Sequence, residues 1–228
     1  MTFAISEHVR DLETPLTGAM AALGLPPMSG QSVRLLAYVS LLQRWNSVHN
    51  LSGAQDAGSL LREHVLDCLA AVPPLSRYAA GRPLRLLDAG TGAGLPAVVL
   101  ASMFPSWTIT AVDSVGKKVA FLRQVVGELH LANLHPVHGR LEDRAGHQRH
   151  DVVTSRAFSS LRQLVDLTRS AIEPSGVWVA MKGKMPEGEL RELPADCHLF
   201  HVEPLLVPGL NAERCLVWMR PASNTPSI

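Results

Sequence analysis

Asp88, Asp113 and Arg156 each close an apolar run of the chain, and after the first comes a turn with glycine at alternate positions, Gly90, Gly92 and Gly94. Glycine accepts φ > 0 and lets a ligand approach the backbone with no Cβ in the way. A turn of this kind after a buried strand is a surface on which a ligand can lie. An acid ending the next strand, here Asp113, can accept hydrogen bonds from both hydroxyls of a ribose. Together the two acids framing the glycines point to an adenosine-bearing ligand more specifically than either alone. A dinucleotide fingerprint would place a small residue at position 95, so that helix and strand close over a pyrophosphate. Leu95 stands there instead, which weakens that reading.

The pattern Asp-x-Gly-x-Gly-x-Gly from Asp88 to Gly94 resembles motif I of the Rossmann-like S-adenosylmethionine (AdoMet) methyltransferases. In that motif the loop lies along the methionine part of a cofactor that carries no phosphate. The plain alternatives are a glycine turn without a ligand and an Asp113 that only caps a helix before Lys117.

The elements that must position these residues follow from the apolar pattern. Leu84 to Leu87 reads as a buried strand, and Pro96 to Met103 as the helix after the turn, with Pro96 suited to its first turn. Thr108 to Val112 is a β-branched second strand, and a helix carrying Val119, Phe121, Leu122, Val125 and Leu129 follows. Further strands are expected at about 134–138, 151–155 and 177–181, with Arg156 just after the fourth and Lys182-Gly183 just after the fifth. This alternation is that of a doubly wound parallel sheet, whose ligands bind at the carboxyl ends of the strands. Arg156 is at the site by topology alone. The loop Gly139 to Asp143 borders the adenine in such a fold, so backbone groups of Leu141 and Glu142 can read its edge. Two last runs, at about 198–207 and 214–219, joined through Pro208 to Asn211, predict an antiparallel hairpin at the sheet edge.

Before the first strand stand three helical segments. One loosely periodic stretch lies in residues 1–30, a second helix opens at Ser32 as cap, and a third runs from about Gly58 to Val72 and stops at Pro73-Pro74. His64 and Asp67 are three apart on the third and can meet. With Arg62, Glu63, Asn46 and Asn50 they form a polar cluster, read either as a bonded pair joining cap to core or as a substrate-facing group. The predicted division is an N-terminal helical cap over 1–80, a core over 81–222 and a frayed tail over 223–228.

The 228 residues suffice for a sizeable core, which is 46% hydrophobic but only 5% aromatic by composition. A net charge of +1 does not announce a nucleic-acid binder, so any RNA contact must come from a local patch. Cys68, Cys197 and Cys215 are odd in number and widely spaced, which suggests neither a disulfide frame nor a zinc site. Charged residues near the start and the lack of a long apolar run leave a cytoplasmic location, with no membrane and no metal expected.

With these pieces placed, the chain resembles the bacterial glucose-inhibited division protein B family from about Leu35 to Val217. The pieces that carry the resemblance are Leu42-Gln43-Arg44-Trp45-Asn46…Asn50-Leu51, His64-Val65-Leu66-Asp67, Asp88 to Pro96, Asp113-Ser114-Val115-Gly116-Lys117-Lys118, Ser155-Arg156-Ala157-Phe158 and Lys182-Gly183. One departure is Ala97, where the family often has glycine. The resemblance implies a mostly parallel Rossmann-like AdoMet methyltransferase sheet of α/β class, with an antiparallel strand near the C-terminus and an N-terminal helical cap. It implies transfer of a methyl group to N7 of a guanine in small-subunit ribosomal RNA. The small ribosomal subunit or its RNA is then the partner, and a monomer is expected. It puts Gly90, Leu95, Leu141, Glu142 and Arg156 at cofactor positions, beside the Asp88, Gly92, Gly94 and Asp113 already named.

N7 has an in-plane lone pair and no proton to lose, so no general base is assigned and the protein's work is alignment and electrostatics. Asp88 or a backbone carbonyl would favour the cationic product. Arg156 is the positioning residue, able to hold a phosphate or the guanine O6. Lys182 can hold a further phosphate, and Lys117, Lys118 and Arg123 can form an outer RNA patch or simply a solvated helix face. An AdoMet enzyme of small molecules and a ribosome-binding protein without catalysis are the competing classes. AdoMet binding separates the last from the other two.

Overall fold

The computed structural model describes residues 3–26, 30–54, 56–144 and 148–222; the tail expected at 223–228 lies outside them. Two short helices, α1 (Glu7–Arg10) and α2 (Glu13–Ala22), replace the single periodic segment read at the start of the chain. The long helix α3 (Gln31–His49) begins one residue before Ser32, with Gly30 as its N-cap at φ 99°, so Ser32 lies in its first turn and does not cap it. Next come α4 (Ala57–Leu60), a π-helical turn (Leu61–Leu66) and α5 (Asp67–Leu69). Pro73-Pro74 does not end this segment. It opens α6 (Val72–Ala79), because proline lacks only an N–H that a first turn leaves unpaired anyway.

From β1 (Arg85–Ala89) onward the alternation holds: α7 (Ala97–Met103), β2 (Thr108–Asp113), α8 (Gly116–Leu129), β3 (Leu134–His138), β4 (His150–Arg156), α9 (Leu161–Thr168), β5 (Ile172–Lys182), α10 (Glu187–Arg191), β6 (Cys197–Pro204) and β7 (Cys215–Pro221). The sheet order is β3-β2-β1-β4-β5-β7-β6. The first five strands are parallel, while β7 runs antiparallel between β5 and β6. Central strands β1, β2 and β4 are buried along almost their whole length, as parallel strands covered on both faces must be.

The register fixes the site. Asp88 sits beside Ala111 and Thr154, Arg156 beside Met181, and Lys182 beside Cys215. The carboxyl ends of β1, β2, β4 and β5 therefore share one edge with the amino end of antiparallel β7. On one face of the sheet a single apolar cluster joins Leu35, Leu41 and Leu42 of α3 to Val98 and Leu100 of α7 and to Phe121, Leu122 and Val125 of α8. Among the described residues no helix is long and apolar enough to cross a membrane. None of their His, Cys, Asp and Glu side chains form a group of three placed for a metal ion.

Candidate functional site

Two cavities open along this edge and share Ala157 as a wall residue. The first, of about 450 Å³, is lined by Gly90, Asp113, Lys118, Leu141, Glu142 and Phe158, among others. Gly90 has φ 69°, and a Cβ on it would meet the Phe158 ring at 3.4 Å, so glycine both permits the turn and keeps the wall thin. Asp113 ends β2 with its carboxylate drawn onto the glycine turn. Oδ2 accepts from Gly92 N at 2.9 Å, Oδ1 accepts from Val115 N at 2.9 Å, and Lys118 Nζ stands 3.8 Å away. Each carboxylate oxygen keeps lone-pair capacity for a further donor. Lys118, read from the sequence as part of an outer patch, thus belongs to this cavity.

Several expected cofactor residues stand behind this wall. Asp88 is 0% exposed; its Oδ2 accepts from Thr91 Oγ1 at 2.6 Å and from Ala97 N at 3.3 Å, while Oδ1 is buried without a hydrogen-bond partner. Burial pushes its carboxyl up to about 6, against the two hydrogen bonds, which lower it. Gly94, at φ 93°, has no room for a side chain, since a Cβ would lie 2.6 Å from Leu122 Cδ1 and 2.8 Å from Val98 Cγ2. It lets α7 and α8 close on the turn. Leu95 and Ala97 are buried in the apolar cluster, where the methyl of Ala97 finds its place. The sequence did not single out Tyr38, a buried side chain of α3 whose hydroxyl donates to Ala93 O at 2.9 Å and ties the helical segment to the glycine turn.

The second cavity, of about 540 Å³, is lined by Glu63, His64, Asp67, Arg156, Lys182 and Arg214, among others. Asp67 is 5% exposed, and its carboxylate holds two arginines: Arg214 Nε lies 2.7 Å from Oδ1 and Arg156 Nη1 3.4 Å from Oδ2. Arg156 therefore faces this cavity rather than the first. Its Nη1 also lies 3.3 Å from Glu63 O and 3.2 Å from His64 Nδ1. Since a guanidinium only donates, Nδ1 must accept and His64 carries its proton on Nε2. Burial, with the charge of Arg156 beside it, holds this histidine below the usual imidazole range. Its Nε2 is buried without a partner. So His64 and Asp67 meet through Arg156, not each other. Lys182 is engaged as well, 2.8 Å from Glu189.

The other members of the expected polar cluster go elsewhere. Asn46 donates to Ala54 O at 2.6 Å and accepts from Ser52 N at 2.8 Å, closing a loop, and Asn50 ends α3 in the left-handed conformation. Lys117 donates to His49 O at 3.2 Å, across to the end of α3, and Arg123 is exposed on α8. Arg214 is the residue that reading by strand ends overlooks. That rule looks at carboxyl ends of parallel strands, whereas Arg214 precedes an antiparallel one. The predicted hairpin was the signal that could have found it, because it already set the amino end of β7 at this edge.

A family model described as GidB, rRNA small subunit methyltransferase G, matches residues 31–217. The ribosomal RNA small subunit methyltransferase G of Leptothrix cholodnii is 52% identical over 213 residues, 93% of this chain and 97% of that protein. The protein of the same name from Acidovorax ebreus is 48% identical over 220 residues, with 93% and 96% covered. Among solved structures, the glycopeptide N-methyltransferase MtfA complexed with S-adenosylhomocysteine superposes with a TM-score of 0.57 at 14% identity, covering 67% of this chain and 89% of that one. The ribosomal protein L11 methylase of Lactobacillus delbrueckii subsp. bulgaricus gives 0.53 at 12% identity, covering 67% and 77%. These two share the fold.

Proposed function

Since the chain belongs to the rRNA small subunit methyltransferase G family, we infer that it transfers a methyl group from AdoMet to small-subunit ribosomal RNA, and that the acceptor is N7 of a guanine. The observation that carries this reading is the pairing of two cavities across Ala157, one suited to an adenosine and the other rich in guanidinium donors. The residues of the first fit AdoMet: a strand-end carboxylate with spare acceptor capacity, a glycine wall that a Cβ would thicken, and the backbone of Leu141 and Glu142 on the cavity surface. When bound there, AdoMet supplies an electrophilic methyl on a sulfonium.

The chain's own residues have alignment and field to provide. Asp113 orients a ribose, and the backbone of Leu141 and Glu142 reads the adenine edge. Gly90, with Phe158 behind it, sets the depth of the cavity. Asp88, ionised at neutral pH under the glycine turn, gives this region a negative charge that favours a cationic ligand. Arg156 acts at the boundary as the positioning residue, from the second cavity, which takes the acceptor nucleotide. No residue is assigned as base, since guanine N7 has no proton to lose. Holding the reacting atoms in line at near-attack distance accounts for the chemistry. Lys117 and Arg123 lie outside both cavities as outer RNA contacts, and the protein works as a cytoplasmic monomer.

The test is transfer of labelled methyl from AdoMet into small ribosomal subunits from cells lacking this protein, followed by digestion and identification of nucleosides by mass. Label in 7-methylguanosine is the expected result. AdoMet binding without label in the RNA would shift the acceptor to a small molecule, and absence of both would remove the enzyme reading.

A further inference from the structure

Arg156 and Arg214 share one carboxylate, and the charges around it do not cancel. Asp67 is a single negative charge held between two guanidiniums. Of the other groups on the cavity, Lys182 is matched by Glu189, and His64 accepts from Arg156 as a neutral ring. Glu63 lends Arg156 only its backbone carbonyl. One positive charge is left over on side chains that are 21% and 25% exposed. Such a charge is costly to bury without a partner, and an anionic ligand removes the cost.

The donors are set for that ligand in advance. Arg214 is held from two sides, by Asp67 at Nε and by Glu213 O, 2.8 Å from Nη1, so that Nη2 is left over. Arg156 is held through Nη1, which leaves Nε and Nη2. Two backbone features frame the same cavity. One is the π-helical turn Leu61–Leu66, which carries His64 and leads directly into Asp67; the other is Ala157, a non-glycine residue at φ 58°. Both kinds concentrate at functional sites.

We propose that Arg156 and Arg214, held side by side by Asp67, clasp a backbone phosphate of the RNA at the nucleotide to be methylated. The proposal rests on the RNA reading above. The planar forks of two arginines suit phosphate oxygens. Their other common partner, the O6/N7 edge of guanine, is closed to them, because a fork laid there would cover the atom that receives the methyl group. The competing anion is the carboxylate of AdoMet itself.

Binding of a small-subunit ribosomal RNA transcript is followed by fluorescence anisotropy between about 50 and 200 mM salt, the range over which phosphate contacts weaken steeply. Wild type, Arg214→Gln and Arg214→Lys are compared, and AdoMet is titrated into each separately. Each phosphate contact contributes about 0.7 to 0.9 to the slope of log affinity against log salt. Arg214→Gln is expected to bind RNA several-fold more weakly with the slope reduced by about that amount. Arg214→Lys keeps the slope, because the charge remains, and AdoMet affinity stays within about twofold in both. An unchanged slope in Arg214→Gln overturns the clasp, as does a loss of AdoMet affinity with the RNA slope intact, which would give Arg214 to the cofactor carboxylate. If wild type shows no salt-dependent RNA binding, the RNA reading itself fails, an outcome distinct from both.

Discussion

The two cavities meet at one residue and are built by different rules. The first consists of what directly follows β1, β2, β3 and β4, and its contacts are backbone groups fastened to one strand-end acid, Asp113. The second gathers side chains from a helical segment, two parallel strands and the approach to an antiparallel one, and it is held by charge. A wall of backbone keeps its shape whichever side chains surround it. A wall of ion pairs keeps its shape only while its charges balance, so the two sites should fail differently when cut.

Asp67→Ala should show the largest effect, because it leaves two largely buried guanidiniums without their counter-charge. Breaking a buried pair from one side costs about 3–5 kcal/mol, to be read from urea unfolding. A loss below about 1 kcal/mol, the range of exposed pairs, would mean the arginines are effectively in water and would erase the contrast. Next in size is Asp88, whose carboxyl is raised from 3.8 to about 6 by burial. A folded pKa above the unfolded one means that the charged form is disfavoured in the fold. Stability relative to Asp88→Asn is then fully present below the unfolded value and declines as pH climbs from about 4 to about 6, by about 3 kcal/mol in all. Unfolding curves at pH 4, 5, 6 and 7 check this, and a constant difference between the two proteins would contradict it. The smallest of the three is Asp113→Ala, which removes acceptors for a ribose. AdoMet should bind about tenfold more weakly, as loss of a charge-assisted hydrogen bond predicts, while the salt slope of RNA binding is unmoved. Unchanged affinity by calorimetry would take Asp113 out of the cofactor site, and a changed slope would show that the cavities do not act separately.

The same contrast explains what could be read from the sequence. Asp88 to Leu95, Asp113 and the Leu141-Glu142 loop were legible because their contacts are local: a strand end, its turn and the next strand end. Arg156 was found by topology, yet its partners were not, since Asp67 and Arg214 come from distant parts of the chain and meet only through the register of β5 and β7. Lys118 looked like surface because a basic run on a helix usually is; only the angle at which α8 leaves β2 brings it to Asp113. Pro73-Pro74 reads equally as an end or a beginning of a helix, and packing decided for the beginning.

The bond from Tyr38 to Ala93 O bears on how this protein can be taken apart. The motif most easily recognised begins at Asp88, and a protein engineer would be tempted to transplant the sheet alone. That graft would carry the glycine turn without the hydroxyl that fastens it, and would lay bare the face that α3 covers on α7 and α8. The exchangeable unit starts where α3 starts, at Gln31, which is also where the family match begins.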